Sequence, residues 1–343
     1  MPRILALLCA AVLLAAGLTG CKAEDRMVVA LLLASDQSPR WAESDEPAFA
    51  DFVGLHCPDC VYVYENAAGD ADTQAAQFDK VVRAGADVVV LNAVSGEEGE
   101  ELVVKADKAG VPVVAYDRFV AGADFYVSYD AGAIGRQMAT AVVDRLPRKA
   151  AVLVVNGAQT DSNGVAIKKA VHRVLKQAGV EVLAELDPQT WSAEEAGGWL
   201  RSQLGKTPVG RVDAIIAAND VQAQGVATAL AQARVPARSW PIVTGQDADL
   251  EAIRRIVSGQ QTLTVFKSFP REAEKAADVA VSLVTGQEVK DAVEQEGVPS
   301  FVFEPLVVTI DNLTDTVVRD GIFSIAQICD ATVLADCTRL GLR

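Results

Sequence analysis

Basic residues are in deficit. The 343-residue chain carries 31 Lys and Arg against 46 Asp and Glu, a formal net charge of −15. A nucleic-acid surface needs cations to neutralise phosphates and release counterions, so that class of partner is excluded. Histidine is scarcer still, with only His56 and His172 present. A histidine-based triad has few candidates, and His172 falls in a helical pattern where a surface role is expected. Neither GxGxxG nor GxxxxGK[ST] nor HExxH occurs, which removes the fingerprints of dinucleotide, nucleotide and zinc-hydrolase chemistry. No cofactor, metal or catalytic residue is expected. The acid pairs Glu97-Glu98 and Glu100-Glu101 stand at a helix start, where the macrodipole favours negative charge. Runs of Gly, Ser or Pro that would tether independent domains are also missing.

Long apolar runs are few. The stretch Ile4 to Ala16 is too short to span a bilayer, follows the positive Arg3, and leads into small residues. It reads as a signal peptide over residues 1–20. Leu18-Thr19-Gly20-Cys21 resembles the lipobox of bacterial lipoproteins, whose cysteine is lipidated and begins the mature chain. That resemblance implies a lipid anchor on Cys21, with more than one acyl chain for stable attachment. The mature protein is then expected outside the cytoplasmic membrane, periplasmic or at the cell surface. Export makes the other cysteines interpretable, because an oxidising compartment favours disulfides. Cys57 and Cys60 form one close pair, Cys329 and Cys337 another. Zinc would need further ligands beside His56, and a redox dithiol would sit between a strand and a following helix. Since Cys57 and Cys60 precede a strand instead, structural disulfides are expected for both pairs, the second stapling the C-terminal tail.

What remains is an alternation. Met27–Ala34 is a continuous apolar run, as a strand buried on both faces requires. Strand-like runs at 61–64, 88–91, 113–116 and 125–127 are separated by helical periods such as 72–83. The second half repeats the order, with strands at 151–155, 182–186, 214–217 and 240–243 and helices from about Asn163, Ser192, Val221 and Leu250. Glycines 85, 110 and 179 close helices and open strands. The pattern is parallel α/β, and the length suits two such domains. After Gln261 a further strand, 263–266, and a helix, 271–284, return toward the first domain.

Polar residues gather where strands end. The post-strand turns hold Arg40-Trp41, Asp117-Arg118, Asp161-Ser162-Asn163, Trp191, Asn219-Asp220, Gln246-Asp247 and Lys267. In open α/β sheets ligands bind at the carboxyl ends of strands, so these turns are expected to meet at one cleft. Sugar hydroxyls suit them: a hydroxyl donates to carboxylates and accepts from Arg, Lys or Asn, while the C–H face of the ring packs on an aromatic plane. Asp161, Asn219 and Asp220 also read as helix caps. Within Thr244–Asp249, Asp247 is expected to face a ligand and Asp249 to cap the helix that follows.

Six segments carry a family resemblance: Ser38-Pro39-Arg40-Trp41, Val114–Arg118, Phe125–Asp130, Ala218-Asn219-Asp220, Thr244–Asp249 and Thr264-Val265-Phe266-Lys267. Together they resemble the periplasmic sugar-binding proteins of ABC transporters, most closely the D-xylose-binding branch. The resemblance implies two Rossmann-like domains hinged by three crossover strands, the type I periplasmic binding protein fold. It places 21–129 and 264–297 in an N-terminal lobe, and 130–263 and 298–343 in a C-terminal lobe with its tail. It implies that Trp41 and Trp191 stack on the two faces of a pyranose, and that Asp117 and Asp247 accept from its hydroxyls. Arg40, Arg118, Asn163, Asn219 and Lys267 would donate. A monomeric partner of an ABC permease and its ATPase is implied, the alternative being a receptor that presents sugar to a membrane kinase or chemoreceptor. The chain departs from the branch at Glu43, Asp45, Ala131, Phe266 and Ser268.

Overall fold

The computed structural model describes residues 26–147, 149–236 and 239–342. The signal segment 1–20 and Cys21 lie outside the described residues. The first half runs β1 (Val28–Leu33), α1 (Glu46–His56), β2 (Val61–Asn66), α2 (Ala71–Arg83), β3 (Val88–Leu91), α3 (Gly96–Ala109), β4 (Val113–Tyr116) and β5 (Phe125–Tyr129). After α4 (Ala131–Val143) come β6 (Ala151–Val155), α5 (Ser162–Ala178), β7 (Glu181–Leu186), α6 (Ala193–Leu204), β8 (Ala214–Ala217) and α7 (Asp220–Gln232). The short β9 (Ile242–Val243) and β10 (Gln246–Asp247) lead to α8 (Leu250–Ser258) and β11 (Leu263–Phe266). The chain ends with α9 (Phe269–Thr285), β12 (Val293–Gln295), β13 (Val298–Phe303), β14 (Leu306–Thr309), α10 (Ile325–Ile328) and α11 (Leu334–Leu340).

The helices begin where side chains satisfy orphan N–H groups. Asp70, Ser95, Asp130, Asp161, Ser192 and Asn219 each accept from a backbone N–H of the helix they precede. Central strands β3, β4, β8 and β11 are buried along their whole length. That explains why β3, β4 and β8 are unbroken apolar runs rather than alternating ones, with Thr264 the one polar residue in β11.

Among the described residues the first sheet has the order β12-β13-β5-β4-β3-β1-β2. The second has β7-β6-β8-β9, and a third, β10-β11-β14, continues beside it. Thr262 N donates to Val243 O at 2.8 Å, which bridges the two. Each lobe has apolar layers on both faces of its sheet, so each has its own core.

Two segments differ from the sequence reading. Residues 298–303 were expected in the C-terminal lobe, yet β13 pairs in parallel with β5, Phe301 opposite Val127. Residues 264–266 were expected with the N-terminal lobe, yet β11 pairs antiparallel with β14 and parallel with β10. A strand's partner is decided by non-local hydrogen bonding, which an apolar run does not encode. The chain thus passes between sheets at β5 to α4, β11 to α9, and β13 to β14.

Candidate functional site

The nine residues expected at the site all line one pocket. Arg40, Trp41, Asp117, Arg118, Asn163, Trp191, Asn219, Asp247 and Lys267 line a small cavity of about 40 Å³, joined by Ser35, Gln37, Ser38, Asp161 and Gln246. The pocket lies where β1, β4, β6, β8, β10 and β11 end, so both lobes contribute walls.

Arg40 is the most constrained side chain there. Its Nε donates to Asp45 Oδ2 at 3.0 Å, Nη2 to Asp45 Oδ1 and to Glu272 Oε2 at 3.0 Å, and Nη1 to Asp117 Oδ1 at 3.0 Å. Its guanidinium carbon sits 4.1 Å from the Trp41 ring centroid and 4.0 Å from that of Phe269. Stacked and bidentate, it is preorganised in a way a lysine would not be. Burial disfavours the charge, but Asp45, Asp117 and Glu272 outweigh it and raise the guanidinium pKa. A guanidinium has five N–H donors. Four are spent within the protein, so one N–H on Nη1 remains, on the side where Asp247 Oδ1 lies 3.9 Å away.

Lys267 lies between two carboxylates, its Nζ 3.1 Å from Asp117 Oδ1 and 3.4 Å from Asp247 Oδ1. Burial would raise the Asp117 pKa, but Lys267, then Arg40 and Arg118, hold it down at about 2. Burial likewise opposes the Lys267 charge, and Asp117 overcomes it, raising that pKa. Both carboxylates stand on unusual backbone: φ is +59° at Asp117 and +106° at Asp247. Such conformations cost about 1–3 kcal/mol each and persist where surroundings enforce them.

A second group closes the far wall. Arg118 Nε lies 2.8 Å from Asp161 Oδ2 as an ion pair without hydrogen-bond alignment, and that oxygen accepts from Trp191 Nε1 at 3.0 Å. Asn163 Nδ2 donates to Asp117 O at 3.0 Å and Oδ2 at 3.1 Å. Asn219 Oδ1 caps α7 by accepting from Gln222 N at 2.9 Å, so its Nδ2 is the group left for a ligand. A Cβ on Gly157 would come within 2.8 Å of Trp191 Cζ2; the ring reaches the pocket because that residue has none.

The turn after β9 differs from the expectation. Gln246-Asp247 forms a short strand beside Val265-Phe266, and Asp249 occupies the cap position of α8 without a side-chain cap bond. Asp220, expected as a cap, is instead buried: its carboxylate accepts from Asp249 N at 3.0 Å, Gln261 Nε2 at 2.7 Å and Thr264 Oγ1 at 3.0 Å. Burial pushes its pKa up to about 7 against the pull of Arg255. A Cβ on Gly245 would fall on that carboxylate, which fits only a glycine there.

Sequence reasoning missed the groups behind Arg40. Asp45 was read only as a departure from the family pattern, yet it is fully buried and also accepts from Tyr116 Oη. Glu272 is fully buried in the first turn of α9, its pKa pushed up to about 8 by burial and by Asp117. The two cysteine pairs stand at disulfide distance, Cys57 to Cys60 at 1.97 Å and Cys329 to Cys337 at 2.08 Å.

Two α/β lobes gripping a small charged pocket between the ends of their strands define a class, the type I solute-binding proteins, which bind rather than transform. The family model described as a periplasmic binding protein domain matches residues 29–288, and the chain belongs to that family. It is 32% identical over 267 residues to the D-xylose-binding periplasmic protein of Haemophilus influenzae, covering 75% of this chain and 79% of the relative. The D-xylose-binding periplasmic protein of Escherichia coli is 33% identical over 267 residues, covering 75% and 80%. Among solved structures, a carbohydrate transporter solute binding protein from Chloroflexus aurantiacus in complex with D-glucose shares the fold. Its TM-score is 0.78 at 23% identity, covering 88% of this chain and 98% of that one.

Proposed function

We propose that this protein captures a monosaccharide, D-xylose first among candidates, between its lobes and delivers it to the permease of an ABC importer. The observation that carries the reading is the Asp117–Lys267–Asp247 row at the lobe junction. Two acceptors and a shared donor, ringed by Arg40, Arg118, Asn163 and Asn219, match alternating hydroxyls of a neutral sugar. Trp41 and Trp191 supply apolar faces for the ring. Similarity to two D-xylose-binding proteins supports the choice of sugar.

In this reading sugar favours the closed arrangement because only there do both lobes contact it. The lobes divide near 129–131, 266–269 and 303–306, and the protein acts as an exported monomer, tethered outside the membrane by lipid on Cys21. A micromolar dissociation constant corresponds to about −8 kcal/mol, within reach of several charge-assisted hydrogen bonds and two stacked rings. Thermal shift against a panel of aldoses, followed by calorimetry, tests it: xylose should raise the melting temperature most. No shift with any aldose would refute sugar binding, and a larger shift with another aldose would replace xylose. Mass spectrometry of the membrane-extracted mature protein tests the lipid on Cys21.

A further inference from the structure

Asp247 and Ala248 are consecutive non-glycine residues at positive φ, +106° and +61°. Something must hold the turn that aims Asp247 into the pocket. Part of the hold is polar, since Ala248 N donates to Thr264 Oγ1 at 3.2 Å and Asp249 N to Asp220 Oδ2. The rest comes from the end of the chain. Ala248 and Phe266 are buried in one apolar cluster with Val308, Val317, Ile328 and Cys337. Helices α10 and α11 both pack on α8, which leaves directly from this turn. Arg254 of α8 donates to Gln327 O at 2.6 Å and pairs with Asp330 at 3.1 Å. Strand β14 holds the other side, pairing Leu306 opposite Phe266, the residue before Lys267.

No residue of this C-terminal segment lines the pocket. Its helical pieces, Thr314–Val318, α10 and α11, have five, four and seven residues, too short to persist alone. Cys337 is 1% exposed, so its link to Cys329 is built into the cluster that buries Ala248. We infer that the segment 306–342, closed by Cys329–Cys337, is a positioning clamp that fixes Asp247 and Lys267 for ligand from behind. The inference rests on the sugar-binding reading for its affinity arm alone.

The test compares two double variants of the full chain, Cys329→Ala/Cys337→Ala and Cys57→Ala/Cys60→Ala. The second removes a disulfide at the amino end of β2, the opposite end of its sheet from the pocket, and serves as the stability control. Affinity for D-xylose, or for the aldose giving the largest thermal shift, is measured by calorimetry, and amide exchange at Ala248 and Asp249 by mass spectrometry. The tail variant should bind about five-fold more weakly, the size of effect that residues without ligand contact exert, with faster exchange at both amides. The control should lose melting temperature yet keep affinity within about two-fold and exchange unchanged. Arg254→Ala, which cuts only the polar tie, should speed the same exchange in a chain that folds normally. Unchanged exchange and affinity in the tail variant or, if that chain does not fold, in Arg254→Ala would overturn the clamp. So would equal affinity losses in the two double variants. If the wild type binds no aldose, the sugar reading fails, while exchange at Ala248 and Asp249 still decides the clamp.

Discussion

Lys267 donates to Asp117 at 3.1 Å across 150 residues of sequence. The lysine follows β11 of one sheet and the aspartate follows β4 of the other, so the bond spans the lobe junction. Lys267→Met therefore leaves two buried carboxylates without their shared cation. Removing one partner of a buried pair costs about 3–5 kcal/mol, so urea unfolding should show a loss of that order. Calorimetry should show sugar affinity at least roughly ten-fold weaker; wild-type affinity would contradict the role of the row.

The carboxylates also set the response to pH. Glu272, at about 8, and Asp220, at about 7, hold protons in the folded state that the unfolded chain has released above the ordinary values of 4.5 and 3.8. The folded state binds more protons between about pH 5 and pH 8, so stability falls as pH rises through that window. Asp117, held at about 2, acts in the opposite sense: its contribution is present above about pH 4 and is lost as pH falls toward 2. Thermal unfolding of the ligand-free protein should give a melting temperature that declines from about pH 5 to 8. Asp220→Asn should flatten the lower part of that slope, and an unaltered slope would assign it to other groups.

Gly157 tests the aromatic wall. Alanine there collides with the Trp191 ring and should turn it away from the pocket. Gly157→Ala is expected to quench or enhance the Trp191 contribution to fluorescence and to weaken sugar binding about ten-fold, as loss of a stacked ring and its burial does. Equal affinity would show that Trp191 is not part of the binding surface.

Behind Arg40, Glu272 separates charge from shape. Glu272→Gln keeps an acceptor for Arg40 Nη2 and removes the titrating group, so affinity should change little while the melting temperature loses its dependence near pH 8. Glu272→Ala removes the acceptor and leaves Arg40 short of one partner, at a cost of about 1–3 kcal/mol in stability. Calorimetry on both variants, with far-UV circular dichroism as the folding check, distinguishes the two effects; equal losses in both would point to packing alone.

The alternation of strand and helix was legible because strands buried on both faces must be continuously apolar and helices must show a one-sided stripe. The polar turns were legible for a related reason, since each interrupts an apolar run at its carboxyl end. The strand Gln246-Asp247 was not, being two polar residues that pair only through Val265-Phe266. Nor was the partner of β13, because parallel pairing with β5 leaves no local mark. Glu272 shows the limit most plainly. In the first turn of α9 it looks like any helix-start acid, and only the approach of Arg40, 232 residues earlier in the chain, gives it a different task.

The three places where the chain passes between sheets, near Asp130, Lys267 and Glu304, limit the kind of motion available. A single connector would let the lobes swivel and twist; three side by side suppress twist and leave bending about one line. In the proposed sugar-binding reading, opening is then expected as a hinge bending rather than a twist. A partner in that reading would meet lobes that differ along one coordinate, their separation, rather than in many directions.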